Sequence, residues 1–309
     1  MNTAYNREMP NRNLHHYAVF TACSTFLLLI AGALVTSNQA GLSIPDWPLA
    51  YGSIHPPMVG GIIFEWSHRV MAASVGFLTI VLASWIWVAE KRPWMRWLGF
   101  AALGGVIAQG ILGGLTVRMF QPPAVSAAHA TLAQLFFSTV VAIAVFTSAW
   151  WQTPVTEVDD SGTPRVRSLA VWSCVAIFLQ LILGAAFRHN GFGIIPHLIG
   201  AVVVTILVFM TAGALKRRFP GVAPLRNCAK ILHMLIGVQL LLGAGAYWSR
   251  IYAARFPQPI PVMVTLTVIH TVTGALVLAS MLVTTLISYR LVAVGSLVGK
   301  PATPREQVA

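Results

Sequence analysis

Glu65, His68 and Arg69 place a carboxylate, an imidazole and a guanidinium within five residues, where a polar stretch runs into a long apolar one. On a helix, Glu65 and His68 stand at i and i+3, about 60° apart round the axis and roughly 4.5 Å apart along it, so they share a face. A carboxylate in that position can take or pass on a proton. Three further histidines, His129, His197 and His270, fall at matching places in later apolar runs. An ionisable side chain inside such a run is costly and marks a functional site by default. One alone would more often be hydrogen-bonded to a neighbouring helix. Four at one depth, in alternate runs, point to chemistry.

The elements that position them are membrane helices. Of 309 residues, 57% are hydrophobic and only 9% charged, against about 25% charged in soluble domains. A large soluble core would need far more charge to cover it. Eight runs are long enough to cross a bilayer, near 17–37, 66–88, 97–117, 124–149, 169–187, 194–215, 231–248 and 262–286. Sheets with open edges cannot satisfy their backbone in lipid, so the predicted class is all-α and polytopic. The first run is too long for the apolar core of a signal peptide and is expected to stay as a span.

The net charge of +12 is scattered through short loops rather than gathered in one patch, which argues against a nucleic-acid partner. Fifteen of the 20 Lys and Arg lie at one end of the runs; Arg69, Arg118, Arg188, Arg250 and Arg255 lie at the other. That bias predicts both termini in the cytoplasm and the loop 38–64, which holds no Lys or Arg, outside. The loop is rich in Pro and Gly and longer than an ordinary connection, which favours a lid over a link. Stretch 152–167 reads as an exposed cytoplasmic linker (151–168) between an N-terminal unit 1–150 and a C-terminal unit 169–290, with a disordered tail at 291–309. Cys23 and Cys174 lie in apolar runs and Cys228 in a basic loop, so no pairing is implied.

A repeat runs through the odd spans. Gln109…Gly113, Gln180…Gly184 and Gln239…Gly243 share one form, and Leu28…Gly32 is a looser copy. Each is followed, in the next span, by one of the four histidines. Small residues let helices approach closely, and they equally make room for a flat ligand. Two histidines from facing helices of a four-helix bundle suit the axial positions of a heme iron, which suggests the pairs His68–His129 and His197–His270. Zinc fits less well, since it draws three or four ligands to one point.

His233 lies at the basic end of the seventh span, at the wrong depth, and reads as structural. His15, His16 and His55 read as solvated, and His189 borders the loop after the fifth span. Glu65 either forms an exposed ion pair with Arg69 or acts on protons beside an iron ligand. The arginines Arg69, Arg118, Arg188 and Arg250 match carboxylate forks, so heme propionates are candidate partners beside lipid headgroups.

Together, Gly41-Leu42-Ser43-Ile44-Pro45-Asp46-Trp47-Pro48, Glu65-x-x-His68-Arg69, the Gln-x-x-Leu-Gly spans and the four histidines resemble the heme A synthase family over about residues 14–290. The resemblance implies eight helices in two pseudo-symmetric four-helix bundles. It implies oxidation of a ring methyl group of heme O to the formyl group of heme A, through an alcohol and a hydrated aldehyde, for cytochrome oxidase assembly. Resident heme b (iron protoporphyrin IX) would sit between His197 and His270, and substrate heme O between His68 and His129, with Glu65 as catalytic carboxylate. A heme O synthase and an electron donor would be partners in the cell membrane. Many members carry a cysteine pair in the first loop, where this chain has Ile44 and Ala50. A di-heme b electron-transfer cytochrome and a non-catalytic heme carrier are the competing functions.

Overall fold

The computed structural model describes residues 11–293. Its helices are α1 (Arg12–Ser37), α2 (Gly61–Ala89), α3 (Pro93–Arg118), α4 (Pro123–Thr147), the single-turn α5 (Ala149–Gln152), α6 (Val166–Arg188), α7 (Ile195–Arg218), α8 (Ala223–Ala253) and α9 (Pro261–Leu291). Among the described residues the only named strands are a two-residue parallel pair, β1 (Val158–Asp159) with β2 (Val292–Ala293). Eight of the helices are long and apolar enough to cross a bilayer. The chain is an all-helical, multi-pass membrane protein.

Helix ends follow local chemistry. Asn11 caps α1 by accepting the Leu14 N–H at 3.0 Å. Helices α3, α4, α7, α8 and α9 have proline in their first turn, where the missing N–H would have no helical partner anyway. Arg118, Arg188, Arg250 and the run Lys216-Arg217-Arg218 sit in last turns, facing the negative end of the helix dipole. Several helices outrun the hydropathic spans because their end turns are polar. Helix α8 begins at Ala223 rather than near 231, taking in Arg226 and Lys230, and α9 runs on to Leu291. Helix α1 starts early enough to include His15, which is half-buried, its Nδ1 bonded at 3.0 Å to the Ala144 carbonyl of α4. His15 is therefore a helix contact and not a solvated group.

Helix α1 packs against α2 and α4, and α3 packs against the same two; α6, α7, α8 and α9 repeat that arrangement, with α1, α4, α6 and α9 along the seam. Apolar packing is concentrated toward the basic end. Val75, Leu82, Ile86, Met95, Val140 and Ile143 fill the first set, and Val208, Leu215, Leu225, Leu232 and Met281 the second. Toward the end that carries the long first loop, here the loop end, the helix walls hold no fully buried residue over 26–34 of α1, 103–113 of α3, 178–185 of α6 or 237–245 of α8. The four histidines lie at that level.

The basic end corrects two expectations. Stretch 152–167 is largely exposed, but it is pinned at one point. Asp160 is buried, its Oδ1 accepts from Arg218 Nη1 at 3.1 Å, and its Oδ2 accepts the Val166 N–H at 2.7 Å, starting α6. A Cβ on Gly162 would collide with the Arg218 guanidinium, so a larger residue there would displace the arginine from Asp160. Residues 291–293 are likewise no part of a loose tail: Leu291, Val292 and Ala293 are buried and β2 pairs with β1. Arg290 braces the same corner, lying over Trp150 and Trp151 and donating to the carbonyls of Trp150 and Thr153. A charge-pair and backbone clamp is invisible to hydropathy. The rest of the expected tail, 294–309, lies outside the described residues.

Candidate functional site

His197, in the first turn of α7, and His270, in α9, face each other with ring centroids 6.4 Å apart and planes at 86°. Two imidazoles sharing one ion need nearly that spacing, since each nitrogen-to-metal bond is about 2 Å and each ring adds roughly another 1 Å to its centroid. Each ring lays its Cε1–Nδ1 edge on a glycine of the preceding helix. A Cβ on Gly184 of α6 would stand 3.0 Å from His197 Cε1, and one on Gly243 of α8 would stand 2.9 Å from His270 Cε1. Any larger residue would push the imidazole aside.

The first four long helices repeat the contact. A Cβ on Gly32 of α1 would lie 3.1 Å from His68 Cε1, and one on Gly113 of α3 would lie 3.3 Å from His129 Cε1. His68 and His129 are close enough to act on each other electrostatically. All four rings thus turn the same edge to a glycine. The Nδ1 atoms of His68, His129 and His270 are buried without a hydrogen-bond partner, although buried polar groups are normally paired. Among the described residues no group of three or more His, Cys, Asp and Glu is arranged to hold an ion, so paired imidazoles are the donor set on offer.

The loop between α1 and α2 is fastened down beside His68. Arg69 Nη1 donates to the carbonyls of Asp46 and Leu49, each at 2.8 Å, and Nη2 to Ile44 O at 3.3 Å and Glu65 Oε1 at 2.7 Å. Glu65 Oε2 accepts the Ile44 N–H at 2.9 Å. At 3% exposure Glu65 is buried. The expected exposed ion pair is therefore a buried one, and the loop covers the carboxylate rather than opening it to water. The Arg69 fork, a propionate candidate from sequence, is engaged by the loop. Ile44 and Ala50, both fully buried, pack with Ile62 and Trp66 beneath it. Trp47 lies on Gly114 of α3, where an added Cβ would come within 3.0 Å of its ring, next to the glycine under His129.

At the loop tip Ala50 bridges to Ser53 across Tyr51 and Gly52, both with positive φ (54° and 70°), as a tight hairpin turn requires. Tyr51 is held in that uncommon conformation by its hydroxyl, which donates to Ser43 O at 2.6 Å. The N–H groups of Gly52 and Tyr51 donate to Asp46 and hold its carboxyl below the usual carboxylate range. A folded value below the unfolded one of about 3.9 means the clasp contributes fully at higher pH and is lost as pH falls through the lowered value. The emission of Trp47, taken as the difference between wild type and Trp47→Phe, is expected to stay constant from neutrality to about pH 4 and to change only below it. A change already complete above pH 5 would refute the clasp.

The other candidates divide. Arg188 donates to Ser37 Oγ at 2.8 Å, tying the loop ends of α6 and α1 across the seam, and Arg250 lies over the Phe187 ring at 4.8 Å. The two guanidiniums feel each other's charge, a pairing that an anionic group between them would relieve. Arg118 is exposed at the end of α3. His233 bonds its own helix, Nδ1 to Ala229 O at 2.7 Å, with its ring against Phe209. His55 is exposed in the loop and His189 caps α6. Sequence reasoning saw the Gln and Gly repeat but not that each glycine is the seat of a histidine. The Arg69 latch gave no signal, because its partners are main-chain carbonyls of an aperiodic loop.

The sequence model of the cytochrome oxidase assembly protein family matches residues 59–196, which hold His68 and His129 and end one residue before His197. Curated relatives include the heme A synthase of Alkalihalophilus pseudofirmus, 34% identical over 44% of this chain and 46% of its own length. That of Shouchella clausii is 36% identical over 42% and 44%, and that of Lysinibacillus sphaericus 29% over 58% and 59%. The chain thus spans about half the length of the curated relatives it matches.

Proposed function

We propose, from the match of residues 59–196 to the cytochrome oxidase assembly protein family, that the chain is a heme A synthase: a membrane enzyme that oxidises a ring methyl group of heme O to the formyl group of heme A. The observation that carries this reading is the fourfold seating of a histidine on a glycine, with His197 and His270 at the spacing of an axial pair. In it, α1–α4 and α6–α9 are two pseudo-symmetric bundles, the first for heme O at His68 and His129, the second for resident heme b at His197 and His270. Bound heme b supplies one-electron redox chemistry. The protein's part is to fix the imidazole rings, to close the loop over the first site, and to set the Glu65 carboxylate where it can take the proton released as the methyl group is oxidised. Arg118, Arg188 and Arg250 are the propionate partners of this reading, with Arg69 serving the loop.

All four histidines sit toward the loop ends of α2, α4, α7 and α9. That favours a site at one face over a cytochrome carrying electrons from face to face. The bias of Lys and Arg orients the loop end outward and both termini to the cytoplasm of a cell membrane. A heme O synthase supplying substrate and an electron donor are the partners this activity requires. The test is extraction and separation of the porphyrins from protein purified after expression with a heme O synthase. Heme A or its hydroxylated precursor is expected beside heme b. Heme b alone would overturn the synthase reading in favour of a carrier or a cytochrome.

A further inference from the structure

Among the described residues, six of the twelve buried side-chain polar atoms without a partner belong to the histidine sites: Nδ1 of His68, His129 and His270, and Oε1 of Gln109, Gln180 and Gln239. Each glutamine lies one helical turn before the glycine under a ring: Gln109 before Gly113, Gln180 before Gly184, Gln239 before Gly243. Gln180 shows the reach. Its Nε2 stands 3.1 Å from His197 Nδ1 and donates to His197 O at 2.8 Å. A side-chain amide offers a donor at one end and an acceptor at the other. Turned over, it gives Oε1 to an Nδ1–H and leaves Nε2 without its proton, the tautomer a metal takes. The main-chain carbonyl of the same glutamine also lies beside the ring of His129, His197 and His270.

Helix α1 breaks the pattern. Gly32 seats His68 as the others are seated, but one turn earlier stands Leu28, which has no polar group. Glu65 and Arg69, its polar neighbours on α2, are engaged with each other and with the loop. We infer that Gln109, Gln180 and Gln239 are positioning residues that hold His129, His197 and His270 through Nδ1, and that His68, the one imidazole of the four without such a glutamine, is the ligand that releases iron to admit and discharge heme at the first site. This rests on the heme-ligand reading above. The physical reason is the outer hydrogen bond: it fixes ring orientation and raises ligand basicity, and losing it costs about 10–100-fold in metal affinity.

The test uses the full chain in detergent, reconstituted with hemin, and reads carbon monoxide binding and heme retention rather than turnover. In protein carrying both His197→Ala and His270→Ala, which has no axial ligand left at the second site, the ferrous heme held at the first site is expected to bind carbon monoxide readily. Adding Leu28→Gln, which supplies the missing amide, is expected to slow that binding about 10-fold or more. In otherwise unaltered protein, Gln239→Leu is expected to speed heme loss from the second site about 10–100-fold, and Gln239→Glu, which keeps an acceptor for Nδ1, to restore retention. Unchanged carbon monoxide binding with Leu28→Gln, or unchanged retention with Gln239→Leu, overturns the inference while leaving the heme sites standing. Protein of native sequence that takes up no heme defeats the underlying reading, and the inference with it.

Discussion

His197→Ala and His270→Ala proteins are expected to lose the low-spin heme b spectrum, whereas His233→Ala protein keeps it. Each of the first two changes removes one of two facing nitrogens, and the remaining imidazole leaves iron five-coordinate or releases it. Their spacing of 6.4 Å and their glycine seats are what make the two rings a pair. His233 has neither. Its Nδ1 is bonded to Ala229 O in its own helix, and Gly243, the seat of His270, lies ten residues further along α8, about 15 Å away. Absorption and electron paramagnetic resonance spectra of the three variants, at matched protein, decide it. A bleached His233→Ala protein beside an unaltered His270→Ala protein would show that the pairing is wrong.

That depth argument was available from sequence because a helix converts residue number into height at 1.5 Å per residue. Eight spans and four histidines at one level follow from it directly. The same arithmetic could not show which helix face meets which. The glycine repeat therefore read equally as packing or as room for a ligand, and only the structure shows a histidine edge on each glycine. Where the backbone has no period the sequence said least. Glu65 and Arg69 are four apart and pair as helix neighbours do, yet the partners that bury them are Ile44, Asp46 and Leu49, some 20–25 residues away. One residue of the linker departs from its expected exposure for the same reason. Asp160, polar and therefore read as exposed, is buried because Arg218 and two main-chain N–H groups meet it.

Glu65→Gln is expected to lower heme A formation by about 10²–10⁴-fold, the usual weight of general acid–base catalysis, while heme b at His197 and His270 persists. The structure adds a second route to the same loss. Glu65 accepts from Arg69 at 2.7 Å and from the Ile44 N–H at 2.9 Å, and it is buried. A glutamine there keeps one acceptor but turns an NH₂ group toward one of those two donors. Breaking a buried pair on one side costs about 3–5 kcal/mol, far above the 0–1 kcal/mol of an exposed pair, so the loop is expected to loosen as well. Arg69→Gln separates the routes. It loosens the loop by removing three carbonyl contacts and the ion pair, yet leaves the carboxylate in place. If Glu65 moves a proton, heme A yield per resident heme b falls in Glu65→Gln far below its value in Arg69→Gln. Equal falls make Glu65 a latch for the loop and nothing more. An unchanged yield in Glu65→Gln removes the carboxylate from the reaction, and the proton acceptor must then be sought in water admitted under the loop.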